Sequence, residues 1–145
     1  MSRRAQAGAS VGAPPLTAVP ITAAADIVKA RQEGRSLAAR IGFDGSELAV
    51  IATAISELAR NILDYAKSGE IVLSPSQDGV RPGIHILARD SGPGIPDVAR
   101  ALQAGYTTGK GLGMGLSGVK RLMDEFAITS RAGLGTSVQI GKWLQ

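Results

Sequence analysis

The chain has 145 residues, which is room for one domain with one core. Its 44% hydrophobic and 19% charged residues allow a packed interior, and the absence of cysteine excludes disulfides and thiolate metal sites. The net charge of +4 fits an anionic ligand or an acidic partner but is too small to indicate DNA. Aromatic residues, at 3%, are too scarce for a stacking surface, so we expect no nucleic-acid binding.

The beginning of the chain differs in composition from the rest. Residues 1–18 are rich in Ala, Gly, Ser and Pro, which predicts a flexible tail, and residues 19–145 are predicted to form the single domain. No continuous apolar run follows Arg3 and Arg4, so a signal peptide is not expected. No stretch approaches the ~20 apolar residues of a membrane span. We therefore expect a cytoplasmic protein without membrane association.

Two helices are predicted in the first half of the chain. A short strand at 19–22 precedes a helix that starts near Asp26, a plausible N-cap, and small residues at 30, 34 and 38 would let another element pack closely. The second helix follows the capping candidates Asp44 and Ser46 and has the clearest period in the chain. Its apolar stripe consists of Leu48, Ile51, Ile55, Leu58, Ile62 and Tyr65.

The second half mixes short strands with loops and helices. Strands are predicted at residues 70–74, 83–88, 127–131 and 136–143. A polar turn at 77–82 separates the first two, and a short helix near 97–102 leads into a segment, 103–113, whose glycines and threonines are typical of a mobile lid. A helix of about three turns then includes Leu116 and Phe126. This order predicts an α+β fold, a two-layer α/β sandwich with helices on one face of a mixed, largely antiparallel sheet.

Three clusters suggest chemistry, and the first lies on the second helix. At ~100° per residue, Glu57, Asn61 and Asp64 fall within ~40° of one another beside the apolar stripe. Such a row of oxygen ligands can hold a hydrated Mg²⁺ and leaves a carboxylate to orient a hydroxyl or water for attack on phosphorus. The alternative, which is the more common one, is a solvated helix face.

The second cluster is the loop from Asp90 to Ile95 (DSGPGI). An aspartate at the end of a strand can accept a hydrogen bond from an exocyclic amine such as that of adenine. Gly92 and Gly94 would let the backbone approach a flat ring, because no Cβ intervenes. A plain turn explains the same residues equally well.

The third cluster is the glycine-rich run at 109–118, which leads directly into a helix. Backbone amides at a helix N-terminus can hold phosphate, and Lys110 could add a positive charge. A flexible linker rarely alternates glycine with large apolar residues in this way. The run also matches a dinucleotide-binding pattern, which we reject because no strand precedes it and no acid lies about 20 residues further on. His85 alternates within a strand pattern and is expected to be structural.

In this order the clusters resemble the N, G1 and G2 boxes of the GHKL ATPases, which share the Bergerat fold. The N box is Glu57 to Asn61 (ELARN), the G1 box begins at Asp90, the G2 box is 111–115 (GLGMG), and Gly135–Thr136 matches the last box. The segments 53–62, 118–126 and 142–143 further resemble the RsbT-type serine/threonine switch kinases of bacterial stressosomes. This resemblance runs from about residue 19 to the end of the chain.

The resemblance implies ATP and Mg²⁺ as cofactors and a role for each matching residue. Glu57 would be the catalytic residue, a general base or hydroxyl-orienting group, and Asn61 would bind Mg²⁺. Asp90 would recognise adenine with support from Thr136, and the segment 107–111 would form the lid. The implied nucleotide-binding residues are Asn61, Asp90, Gly92, Gly94, Ile95, Thr107, Thr108, Lys110, Gly111, Leu112, Gly113, Met114, Gly115 and Thr136.

RsbT-type kinases phosphorylate a Ser or Thr of a STAS-domain scaffold protein and, once released, activate a PP2C-type phosphatase through its N-terminal region. The resemblance therefore implies both partners in a stress-response pathway of partner switching. Two alternatives stay open: a nucleotide-gated binding module, and an anti-sigma factor without significant kinase turnover. The carboxylate of Glu57 favours the enzyme, because a pure binder has no need of it.

Overall fold

A computed structural model of the protein describes residues 16–95, 97–103 and 115–145. These residues form five strands and four helices. In chain order they are β1 Thr17–Ile21, α1 Ala24–Ile41, α2 Gly45–Ala66, β2 Gly69–Asp78, β3 Arg81–Asp90, α3 Val98–Ala101, α4 Gly115–Leu122, β4 Glu125–Arg131 and β5 Gly135–Trp143. Among the described residues, no helix combines the length and apolarity needed to cross a bilayer.

The five strands form one sheet in the order β1-β2-β3-β5-β4, and all neighbouring strands are antiparallel. Apolar side chains alternate along the central strands, so one face carries fully buried residues such as Ile71, Ile86 and Ile140. The helices pack on this face and close the core. The predicted two-layer α+β sandwich is confirmed.

The two long helices pack closely against each other. Ala30, Gly34 and Ala38 are all buried on α1, and a Cβ added to Gly34 would lie 2.1 Å from the Cδ1 of Ile55 on α2. The predicted use of small residues for close packing is therefore confirmed. The glycine allows α2 to approach α1, which holds the helix bearing Glu57 and Asn61 firmly against the rest of the core.

Asp26 was predicted to cap the first helix, and this assignment is wrong by three residues. Ala23 is the N-cap, and Asp26 lies in the first turn, where its Oδ2 accepts hydrogen bonds from the backbone N–H groups of Thr22 (2.9 Å) and Ala23 (3.0 Å). The bond from the Thr22 N–H, with smaller contributions from Ala23 and Lys29, lowers the pKa of the exposed Asp26 carboxyl. The carboxylate thus reaches back to satisfy helix-terminal donors.

Two other boundaries differ from the prediction. The predicted turn at 77–82 is narrower, because Gln77 pairs with Pro82 and Asp78 with Arg81, so that β2 and β3 extend to a turn at residues 79–80. Phe126 was placed on the last helix but lies in β4, opposite Ile140. Helix α4 ends at Leu122, and the N–H of Asp124 already donates to the carbonyl of Gly141. An apolar residue at helical spacing was thus an inward-facing strand residue.

Candidate active site

One cavity brings together residues from the separate sequence clusters. Asn61 on α2, Asp90 at the end of β3, Ile95 in the following loop and Thr136 on β5 all line it. The remaining lining residues are Leu58, Ile62, Tyr65, Ala88, Leu116 and Val138. A mostly apolar lining with a few polar groups has the composition of a site for a flat heteroaromatic ring that carries an exocyclic amine. The cavity holds only about 20 Å³, so the lining must move apart to admit such a ring.

Asp90 is oriented mainly by one backbone amide, and a second amide makes a longer contact. Its Oδ1 accepts hydrogen bonds from the N–H of Gly92 (2.9 Å) and from the N–H of Thr136 (3.3 Å). Within the part of the chain that the structure describes, Oδ2 of Asp90 has no hydrogen-bond partner. The carboxylate is therefore oriented by one oxygen and keeps the other available to accept a hydrogen bond from a ligand in the cavity.

Ser130 on β4 joins the loop after β3 to Thr136. Its Oγ accepts a hydrogen bond from the N–H of Ile95 (2.7 Å) and lies 2.9 Å from the Thr136 Oγ1. Sequence reasoning missed this residue. The signal that could have found it is the hairpin register, in which Ser130 stands directly opposite Thr136. We call the group Asp90, Gly92, Ile95, Ser130 and Thr136 the aspartate end of the site.

The glycines of this loop are required for a reason that the sequence analysis did not give. A Cβ on Gly92 would lie 2.4 Å from the Cβ of Ala66 on α2. Gly94 has a φ of +86°, and a Cβ there would lie 2.6 Å from the carbonyl oxygen of Arg131. Neither glycine lines the cavity. They allow the loop to pack on the protein's own chain, whereas we had expected them to make room for a flat ring.

Glu57 is buried, with 7% of its surface exposed, so the solvated helix face considered as an alternative is wrong for this residue. Its Oε2 lies 2.6 Å from the Nη1 of Arg60, and its Oε1 accepts a hydrogen bond from the N–H of Gly115 (3.3 Å), the first residue of α4. We call Glu57, Arg60 and Gly115 the glutamate end of the site. Asn61 lies one helical turn from Glu57 on α2 and lines the cavity together with Asp90. Sequence reasoning gave Arg60 no role.

Several predicted nucleotide-binding residues lie outside the described residues: Thr107, Thr108, Lys110, Gly111, Leu112, Gly113 and Met114. Their roles stay predictions, as does the flexible tail for residues 1–15, which also lie outside the described residues. The predicted boundary of the tail at residue 18 is wrong by two residues, because Thr17 and Ala18 already belong to β1 and pair with β2. Within the described ranges no cluster of three or more His, Cys, Asp or Glu side chains could hold a metal ion. Asn61 lines the cavity, and its role as a Mg²⁺ ligand stays a prediction; Mg²⁺ bound to a nucleotide needs only one or two protein oxygens and completes its shell with phosphates and water.

Comparisons with known proteins show the family to which the chain belongs. The family profile described as "Histidine kinase-like ATPase domain" matches residues 20–142. The serine/threonine-protein kinase RsbT of Bacillus subtilis is 52% identical over 120 residues, which span 83% of this chain and 90% of the relative. The anti-sigma F factor of Geobacillus stearothermophilus is 36% identical over 66% of this chain and 69% of its own length.

A solved structure has the same fold. A crystal structure of the RsbU and RsbW domains of a Mycobacterium tuberculosis protein superposes with a TM-score of 0.58 at 21% identity. The match covers 89% of this chain and 32% of that longer chain. The identity is low, so this likeness supports the fold alone.

Proposed function

We propose that this chain phosphorylates a STAS-domain protein with ATP in a bacterial partner-switching pathway of the stressosome type. The chain belongs to the histidine kinase-like ATPase domain family and, within it, to the RsbT-type serine/threonine kinases. The observation that carries the proposal is the cavity that unites Asn61, Asp90 and Thr136 one helical turn from the buried Glu57.

Adenine binds in the cavity. Its exocyclic amine donates to the Oδ2 of Asp90, whose Oδ1 is already engaged by the backbone. Thr136 contributes its hydroxyl, and Leu58, Ile62 and Val138 are among the apolar residues that cover the ring faces. The phosphates extend toward Gly115 and the predicted glycine-rich segment before it, where backbone amides and the start of α4 favour negative charge. The bound ATP thus spans from the aspartate end to the glutamate end.

In the transfer step, the hydroxyl oxygen of the partner's Ser or Thr forms a bond to the γ-phosphorus while the bond to the β–γ bridging oxygen breaks, and ADP leaves. Glu57 accepts a hydrogen bond from this hydroxyl, orients it for in-line attack and takes up its proton as the new oxygen–phosphorus bond forms. Asn61 would hold Mg²⁺ through its amide oxygen together with the phosphates, and the ion would supply positive charge opposite the transferred group. The residues of this chain act mainly by alignment.

The similarity to RsbT supports both proposed partners. The kinase is expected to bind its STAS-domain substrate while the substrate is unphosphorylated. After its release, the kinase is expected to activate a PP2C-type phosphatase through the N-terminal region of the phosphatase. Both partners and the kinase are expected in the cytoplasm. The excess of basic residues, a net charge of +4, fits an acidic partner surface.

The test is transfer of label from γ-labelled ATP, with Mg²⁺, onto a STAS-domain protein encoded nearby. Glu57→Gln is a sharper variant than Glu57→Ala, because an alanine would leave both Arg60 and the Gly115 N–H without a partner. We expect Glu57→Gln to bind ATP and lose most transfer, and Asn61→Ala to lose Mg²⁺-dependent transfer. Asp78→Asn, on an exposed ion pair of the β2–β3 hairpin, is the matched control and should transfer normally.

A second candidate is a nucleotide-gated binding module that acts as an anti-sigma factor with little turnover. The relatives named anti-sigma F factor favour it. It predicts that ATP increases the affinity for a sigma factor and that no label reaches a protein partner. Label on a Ser or Thr of the STAS-domain protein that disappears in Glu57→Gln would decide for the kinase, and the absence of ATP binding would overturn both.

A further inference from the structure

We infer that Arg60 is a positioning residue that fixes the carboxylate of Glu57 and, through it, the start of α4. The inference deepens the proposed function, because it concerns the group proposed to orient the incoming hydroxyl. It is carried by three described residues that touch in series: Arg60, Glu57 and Gly115.

The contact between Arg60 and Glu57 differs from the other ion pairs of the described chain. The side chain of Glu57 is 10% exposed, whereas the acidic partners in the Asp78–Arg81 and Glu70–Arg89 pairs are 48% and 32% exposed. Exposed ion pairs contribute little, but a buried carboxylate that loses its cation is strongly destabilised in that position. Among the described residues, Arg60 is the only cation that contacts Glu57. The pair therefore determines where the carboxylate lies.

The carboxylate also links two helices. While Oε2 is held by Arg60 from the same helix, Oε1 accepts the N–H of Gly115 at the first residue of α4. That second bond is long, at 3.3 Å, so it orients the carboxylate weakly by itself. Gly115 has a φ of +73°, a conformation that favours glycine, so the backbone turns sharply at this point. Arg60 thus preorganises Glu57 before any hydroxyl arrives.

The guanidinium suits this role because of its place at the surface. The Arg60 side chain is 42% exposed, and within the described residues it contacts the buried carboxylate through one nitrogen. If the Arg60–Glu57 pair only stabilised the helix, as an exposed i,i+3 pair does, the loss of Arg60 would lower the free energy of unfolding slightly and leave Glu57 in place. The two roles therefore differ in a measurable way.

The experiment compares Arg60→Gln and Arg60→Lys with the matched control Arg81→Gln, which removes an arginine from an exposed i,i+3 pair. Amide hydrogen exchange of Gly115 is measured without nucleotide, together with kcat and KM for ATP in the transfer assay. We expect Arg60→Gln to speed Gly115 exchange by about 10-fold and to lower kcat by about 10- to 100-fold with KM for ATP within about 2-fold. Lysine should restore most of both, and Arg81→Gln should match the wild type.

Each outcome decides the inference. Wild-type exchange of Gly115 in Arg60→Gln would overturn it, and so would a parallel loss of ATP binding and melting temperature that lysine does not rescue. If neither the wild type nor Arg81→Gln transfers phosphate, the proposed kinase function fails, and the Gly115 exchange rates still decide the role of Arg60. If both transfer normally and Arg60→Gln does too, the inference fails alone.

Discussion

The two ends of the site are held by different means. At the aspartate end, backbone N–H groups of Gly92, Ile95 and Thr136 engage side chains from β3 and β4, and glycines let the chain segments touch. At the glutamate end, one carboxylate from α2 is held by an arginine of the same helix and by a single backbone amide of α4. The aspartate end therefore depends on several hydrogen bonds between segments that are distant in sequence, whereas the position of Glu57 depends mainly on one ion pair. Losing one contact should leave others in place at the aspartate end, but losing Arg60 should leave Glu57 with a single long hydrogen bond.

The largest effect is expected from breaking the close fit at the aspartate end with Gly135→Ala. Gly135 has a φ of +117°, and a Cβ there would lie 2.1 Å from the carbonyl oxygen of Asp90. Backbone strain and overlap together should lower the free energy of unfolding by about 3 kcal/mol or more, and ATP binding should weaken with it. Urea denaturation and calorimetric titration with ATP measure the two effects.

Gly133→Ala, in the same hairpin, is the control for this substitution. Gly133 also has a positive φ, +77°, but a Cβ there would have no atom within 4 Å. Only the conformational cost remains, about 1 kcal/mol, and ATP binding should be unchanged. Equal losses in the two variants would show that the fit against Asp90 contributes nothing.

The next largest effect is expected from Asp90→Asn, which should leave the fold intact and remove the recognition of adenine at the aspartate end. The amide oxygen of asparagine can keep the bonds from Gly92 and Thr136, which turns the NH₂ group toward the cavity in place of Oδ2. Losing a charge-assisted acceptor for the adenine amine costs about 1.5–3 kcal/mol, which is roughly 10- to 150-fold in the Kd for ATP. Calorimetry with Asp78→Asn as the control checks this, and an unchanged Kd would contradict the role of Asp90.

Much of this architecture could be predicted because it depends on local periodicity. The stripe on α2 follows helical spacing, and the inward residues of the sheet alternate, so the elements and the fold class were correct. Boundaries were less certain where two periods overlap. Phe126 fits the helical spacing of α4 and the alternation of β4, and only its pairing with Ile140 decides between them.

The supporting residues of the site could not be predicted because their roles arise from contacts between distant segments. Ser130 accepts a hydrogen bond from Ile95, which is 35 positions away in the sequence, and Glu57 accepts one from Gly115, which is 58 positions away. Gly92 is likewise required because of Ala66, whose Cβ leaves no room for a side chain at position 92. Motifs identified the polar groups at the site, but the contacts that orient them appear only once the chain is folded.

A smaller effect is expected from Ser130→Ala, which removes one side chain from the aspartate end. The N–H of Ile95 would lose its 2.7 Å bond and Thr136 its hydroxyl partner. We expect the free energy of unfolding to fall by about 1–2 kcal/mol and ATP affinity to fall several-fold. Thr129→Ala, on the exposed face of the same strand, is the control and should leave ATP affinity unchanged. An equal loss of affinity in both variants would indicate a general effect of weakening β4.

The smallest effect is expected at the start of α1, which lines neither end of the site. The pKa of Asp26 is lowered, chiefly by the N–H of Thr22, so its carboxylate stabilises the fold above the unfolded-state pKa of about 3.9, and this stabilisation is lost as the pH falls through the lower folded-state pKa. Asp26→Asn should therefore melt at a slightly lower temperature than the wild type at neutral pH, and the difference should vanish at strongly acidic pH, where both side chains are uncharged. Glu33→Gln, on the exposed side of the same helix, is the control for removing one negative charge. If the difference in melting temperature persisted unchanged at acidic pH, the charge of Asp26 would not be its cause. ATP binding by Asp26→Asn should be unaltered, because Asp26 lines neither end of the site.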